Sequence, residues 1–162
     1  MGLDTYLIKE KPSNEYVSLE DWDEIEVAYW RKCYGVNEWL KSKSKEIENS
    51  YLKEFSTDIL KPIVKKMEKY IDKLIKKSNQ LGYFVDNVDD LYSLVIELDN
   101  NYGYNNQNYD KLEKIILSFN MDGLDFDSFD NSIWSSLSTF IQTYDNFRKA
   151  EKESVLYYDE SF

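Results

Sequence analysis

The chemistry open to this chain is that of carboxylates, aromatic rings and lysines, because it contains no histidine and a single cysteine, Cys33. Histidine is the side chain that titrates nearest neutral pH and the commonest metal ligand. Its absence, with only one thiol, removes ordinary zinc sites and Ser-His or Cys-His catalysis. Carboxylates are plentiful, with 31 Asp and Glu, and two of them facing one substrate can act as acid and base. Their spacing singles out no such pair, so no catalytic residue is assigned. One acidic run is NMDGLDFDSFD, Asn120 to Asp130, in which Asp125 and Asp127 alternate as calcium ligands do. It departs from a calcium loop because its glycine does not stand five positions after a ligand Asp and no bidentate Glu closes it. No metal ligands are assigned.

Aromatic residues supply the other candidates. Trp30, Arg31, Tyr34 and Trp39 crowd into EIEVAYWRKCYGVNEWL, Glu24 to Leu40, and Trp, Tyr and Arg dominate protein-binding hot spots. Together with Asp122, Asp125, Asp127 and Asp130 they form the candidate partner-binding set. The same rings also fit a hydrophobic core, where each buries roughly 150 to 250 Å². Cys33 falls on an apolar row and reads as a buried thiol of a reducing compartment. A different chemistry is suggested by Tyr102, Tyr104 and Tyr109, which offer stacking for a base, and by Lys65 and Lys69, which offer charge for a phosphate. That is the alternative of a small-ligand binder for nucleotide signals. No Gly-rich phosphate loop accompanies these residues, and no cofactor is implied.

These side chains need a scaffold, and 162 residues with 42 % hydrophobic and 16 % aromatic content suit one folded domain, 1–162. No stretch approaches the roughly 18 apolar residues of a membrane span, and no basic segment followed by an apolar run opens the chain, so a cytoplasmic protein is expected. Net charge is −11. Acids concentrate in residues 81–162 and bases in 41–80. A chain this acidic is repelled by nucleic acid as a whole, although it can compete for a surface that binds nucleic acid. The bland alternative is a solvated surface that keeps the protein soluble.

The elements follow from periodicity. Alternation over Leu3 to Lys9 and over Glu24 to Ala28 predicts two strands separated by a polar loop, NEYVSLEDWDE. Tyr29, Cys33, Val36 and Leu40 at steps of four, three and four predict a helix from Tyr29 to about Lys45. Tyr51, Leu52 and Phe55 suggest a short third strand. A full stripe from Ile63 to Ile75 predicts a long helix, with Pro62 in its first turn, Ser56, Thr57 or Asp58 as cap, and a lysine face opposite. Gly82 lies beyond its end. Leu91 to Leu98 predicts a shorter helix whose N-terminus the acids of Asp86 to Asp90 suit. Asn100 to Asp110 reads as a loop, Leu112 to Phe119 as a helix closed by a turn at Gly123, and Ile133 to Phe147 as a second long helix capped by Asp130. Val155 to Tyr158 closes the chain as a strand, with Asp159 to Phe162 as a tail. The expected fold class is α+β, a small antiparallel or mixed sheet of N-terminal, central and C-terminal strands packed by helices, two of them long and amphipathic.

MGLDTYL at the start, EVAYWRK with the later Trp39, and YYDES at Tyr157 to Ser161 resemble a family of small uncharacterised proteins common in phages and prophages. In that family the helix after Tyr29-Trp30-Arg31-Lys32 usually carries an Asn and a His before the Trp. Tyr34 and Asn37 stand in those places here, which implies that any His-dependent activity of the family is absent. The resemblance implies a phage accessory protein that binds and blocks a host protein, such as a CRISPR nuclease or another defence effector, rather than an enzyme. It also suggests that the terminal and central motifs meet in space.

Overall fold

The computed structural model describes residues 3–9, 24–101, 107–126 and 135–161. Among them are five strands and five helices: β1 (Asp4–Ile8), β2 (Glu26–Arg31), α1 (Tyr34–Lys43), β3 (Lys45–Glu46), β4 (Lys53–Ser56), α2 (Leu60–Gln80), α3 (Val88–Asn101), α4 (Gln107–Leu117), α5 (Ser136–Ala150) and β5 (Val155–Ser161). All strand pairs are antiparallel and the sheet order is β2-β1-β5-β4-β3. The fold is α+β, as the alternating and helical periods predict. The NEYVSLEDWDE loop up to Asp23, Tyr102, Tyr104, Asp127, Asp130, Ile133 and Trp134 lie outside the described residues.

One face of the sheet is buried. Thr5 and Leu7 of β1, Ala28 and Trp30 of β2, Phe55 of β4, and Leu156 and Tyr158 of β5 are almost wholly covered. The residues between them, Asp4, Tyr6, Tyr29, Tyr157 and Asp159, keep partial exposure, which is the period-2 pattern of a sheet covered by helices. The helices bring their stripes to this face. Ile63, Val64, Met67, Ile71 and Leu74 of α2 and Leu137, Phe140, Ile141, Tyr144 and Phe147 of α5 are buried in one core. Two aromatic groups organise that core. Trp30 and Trp39 pack on Phe147, with ring centroids 5.8 and 5.7 Å away. Phe119, Phe126 and Phe140 meet edge to face at 5.0 to 5.5 Å, and Tyr70 joins Phe119 at 5.4 Å.

Several boundaries differ from those expected. β2 continues through Tyr29 and Trp30 to Arg31, so neither residue is helical. Its buried and exposed residues keep alternating because β1 still supplies partners there, down to Asp4 opposite Arg31. Lys32, at φ +56°, then breaks the strand, and its N–H donates to Leu3 O. Helix α1 therefore starts at Tyr34, and Tyr29 matched the stripe of Cys33, Val36 and Leu40 by coincidence. β5 runs to Ser161, because its polar end pairs with β1 as far as Asp4 opposite Ser161; Asp159 to Ser161 is strand and not tail. None of Ser56, Thr57 or Asp58 caps α2. A single 3-10 turn, Thr57–Ile59, leads into it, and the Thr57 hydroxyl donates instead to the Glu153 and Ser154 carbonyls. The cap of α5 is Ser135, whose Oγ accepts from Ser138 N at 3.1 Å; Asp130 is five residues too early. Helices α3 and α4 take both ends of the loop expected over Asn100 to Asp110, leaving 102–106 between them.

Candidate functional site

The three motifs do meet. β1 lies between β2 and β5, with Thr5 opposite both Trp30 and Glu160. Helix α1 packs on β5 and β4 and lowers Asn37, 2 % exposed, onto the sheet. The Asn37 side chain is held on both sides. Its Oδ1 accepts from Thr5 Oγ1 at 2.8 Å and from Tyr158 OH at 2.6 Å, and its Nδ2 donates to Glu160 Oε2 at 3.1 Å. Turning the amide over would set its oxygen against the Glu160 carboxylate, so the charge on Glu160 fixes this orientation. Tyr158 OH also lies 2.5 Å from Glu160 Oε2, and Lys41 Nζ donates to Glu160 Oε1 at 3.2 Å.

The electrostatics make this network a proton-holding clasp. Burial acts to raise the Glu160 carboxyl, but hydrogen bonds from Tyr158, Asn37 and Lys41 outweigh it and hold the group below its ordinary value. Tyr158 moves the other way: burial and the neighbouring Glu160 carboxylate push its phenol well up. The carboxylate stays ionised and the phenol stays protonated at neutral pH. Neither is poised near pH 7, where a general acid or base works best. Beside the clasp, Trp30 Nε1 donates to Thr143 Oγ1 at 3.1 Å, and the outward carbonyl of Tyr29 accepts from Gln142 and Asn146 of α5. Cys33 is buried, and burial pushes its thiol up to about 11. It is a structural thiol.

The candidate partner-binding residues divide. Trp30 and Trp39, 0 % and 4 % exposed, belong to the core and offer no docking surface. Their size and apolar area drive them between the sheet and α5. Arg31 is exposed and Tyr34 half-buried. Asp122 and Asp125 are exposed on the turn after α4, and that turn is fastened to α1. Trp39 Nε1 donates to Asp122 O at 3.0 Å, and Lys43 Nζ pairs with Asp122 Oδ2 at 2.8 Å. Gly35 allows close approach, since a Cβ there would lie 2.6 Å from Asp125 O. Helix α1 thus joins the aromatic and acidic halves of the candidate set, with Trp39 acting from below. Asp127 and Asp130 lie outside the described residues. Of the ligand-stacking candidates, Tyr109 is half-buried with its hydroxyl against Ser135 and Ser136, and burial pushes it up to about 12.

Asn37, Lys41, Tyr158 and Glu160 were not among the candidates. The available signal was an asparagine set beside the apolar row of a tryptophan-bearing helix. No protein-family model matches the chain, and no curated protein or solved structure is detectably similar to it.

Proposed function

We propose that the protein is a phage accessory protein that binds and inhibits a host protein in the host cytoplasm, its target a defence effector such as a CRISPR nuclease. The observation that carries this reading is the fixed acidic turn. Asp122 and Asp125 face solvent on a turn tied to the core by the Trp39 indole and the Gly35 contact. A turn whose backbone is held in place loses little freedom on meeting a partner, which favours binding. The sign of the charge favours a basic surface, of the kind that otherwise contacts nucleic acid, and a net charge of −11 disfavours nucleic acid itself. The motif resemblance adds the phage setting. The clasp around Asn37, with its protons firmly held, supports a binding role over a catalytic one.

The test is capture from nuclease-treated host lysate with tagged wild type and with an Asp122→Asn/Asp125→Lys variant. Asparagine tolerates the left-handed backbone of residue 122, at φ +56°, so that substitution removes the charge and its Lys43 pair without adding backbone strain. The expected result is one host protein recovered near equal stoichiometry, with weaker and less salt-dependent binding to the variant. Recovery of no partner, or of one whose binding ignores both substitutions, would remove the acidic-turn reading.

A further inference from the structure

A second feature, on the side of the molecule formed by α3 and the segment before it, has the composition of a receptor for an arginine side chain. Phe84 is 99 % exposed. Its segment is firmly held: the Asn79 side chain donates to Val85 O at 2.8 Å and accepts from Val85 N at 3.0 Å, and Tyr83 OH accepts from Asn108 at 2.9 Å. The start of α3 is braced as well. Asn87 Oδ1 accepts from Asp90 N, as an N-cap side chain does, and Asp90 Oδ2 accepts from Asp86 N. The ring is presented to solvent by a framework of hydrogen bonds on both sides of it.

Beside Phe84 runs a groove of about 270 Å³. This is room for one long side chain and falls below the roughly 300–1,000 Å³ of pockets for larger ligands. Tyr83 and Phe84 line it on the side of the segment before α3, and Val85 and Leu94 contribute an apolar lining. Asp90, Ser93 and Glu97 come from one face of α3, at steps of three and four. Among the described residues neither Asp90 nor Glu97 has a cationic partner within ion-pair distance. Arginine satisfies this set as no other side chain does. Its guanidinium stacks on an aromatic face, its planar fork donates to carboxylates, and its methylene stem covers apolar surface. Lysine offers a point charge but no planar group to stack.

We propose that this groove receives an arginine side chain from a partner protein. The inference rests on the partner-binding reading and adds to it a second contact point with a defined chemistry. The test is an NMR titration of ¹⁵N-labelled protein with N-acetyl-arginine amide, and with the matching lysine and citrulline amides. Arginine is expected to give saturable shifts confined to residues 83–97, lysine smaller ones and neutral citrulline none. Phe84→Ala should weaken arginine binding by about two- to fivefold through the lost ring, and Glu97→Gln by a similar factor through the lost charge. Both side chains are exposed, so the variants keep the wild-type circular dichroism spectrum. Equal shifts from citrulline, shifts elsewhere in the protein, or arginine binding indifferent to both substitutions would overturn the proposal. Repeating the lysate capture with a Phe84→Ala/Glu97→Gln double variant separates the two readings. A partner retained at full strength refutes the arginine site and leaves partner binding standing. Saturable arginine binding with no captured partner supports the site and fails the partner reading.

Discussion

Replacing Asn37 with alanine removes one small side chain but empties the centre of the clasp. Three hydrogen bonds disappear: those from Thr5 Oγ1 and Tyr158 OH to Oδ1, and that from Nδ2 to Glu160. Tyr158 and Glu160 keep each other, and Glu160 keeps Lys41, so those groups remain partly satisfied. Thr5, fully buried, loses its partner on α1. At about 0.5–1.5 kcal/mol per net hydrogen bond, and more for a buried group left bare, the loss comes to about 2–4 kcal/mol. For a chain of this length each kcal/mol lowers the melting temperature by roughly 2–4 °C, so a fall of about 5–15 °C is expected. Urea unfolding followed by tryptophan fluorescence gives the free energy directly, because Trp30 and Trp39 are buried in the same core. Asn37→Asp sharpens the test. It places a second carboxylate beside Glu160, where like charge raises the pKa of the new acid, so its extra cost holds above that pKa and is relieved as pH falls. The gap between Asn37→Asp and Asn37→Ala should therefore be widest at neutral pH and close on acidification. A loss below about 1 kcal/mol for Asn37→Ala, or a gap that does not change with pH, would refute the account of the clasp.

Glu160 titrates in the folded state below its ordinary value, so its stabilisation is present above that value and lost as pH falls through the lower, folded one; Glu160→Gln should flatten this part of the acid limb of stability, as calorimetry across acidic pH can record. Asp159, held above its ordinary value mainly by burial, works in the opposite sense, and Asp159→Asn should gain stability at neutral pH relative to low pH. With its thiol pushed up from 9.0 to about 11, Cys33 should react with a thiol reagent at pH 8 about a hundredfold more slowly than an exposed cysteine, before any steric protection is counted, and a rate matching the unfolded chain would show the residue to be accessible. Gly35→Ala pushes a methyl group into the Asp125 carbonyl; it should cost about 1–3 kcal/mol in denaturant unfolding and weaken capture of an acidic-turn partner.

The sequence carried the element types well because the signals were long and physical. The stripes of α2 and α5 repeat over several turns, and β1 alternates cleanly. Failures came where a residue satisfied two periods at once or where pairing decided the outcome. Tyr29 fits a helical step from Cys33, yet the hydrogen bonds offered by β1 keep it in a strand. Ser161 and its charged neighbours read as a tail, yet the edge of β1 and the clasp around Glu160 make them strand. The candidate site was legible in part. Periodicity could announce that Trp30 and Trp39 carry apolar area, but burial depends on what lies opposite, here Phe147 from more than a hundred residues away. Asp122 and Asp125 were visible as acids, whereas their fastening to α1 rests on an indole N–H and a missing Cβ, which only three-dimensional proximity reveals. Phe84 sits beside Tyr83 in a connection, where no period marks which ring faces solvent.

The place of β5 in the sheet has a consequence for synthesis. It lies between β1 and β4, so those two strands are joined in one sheet only through β5, the last in sequence of the described strands. At roughly 5–20 residues per second, β1 waits on the order of 10–30 s for its second neighbour to leave the ribosome. A β1–β2 pair can form in that interval, but its free edge stays open to unwanted pairing. Asn37 and Lys41 also wait, since Tyr158 and Glu160 arrive on the same strand. One seven-residue strand thus completes the sheet and the clasp together.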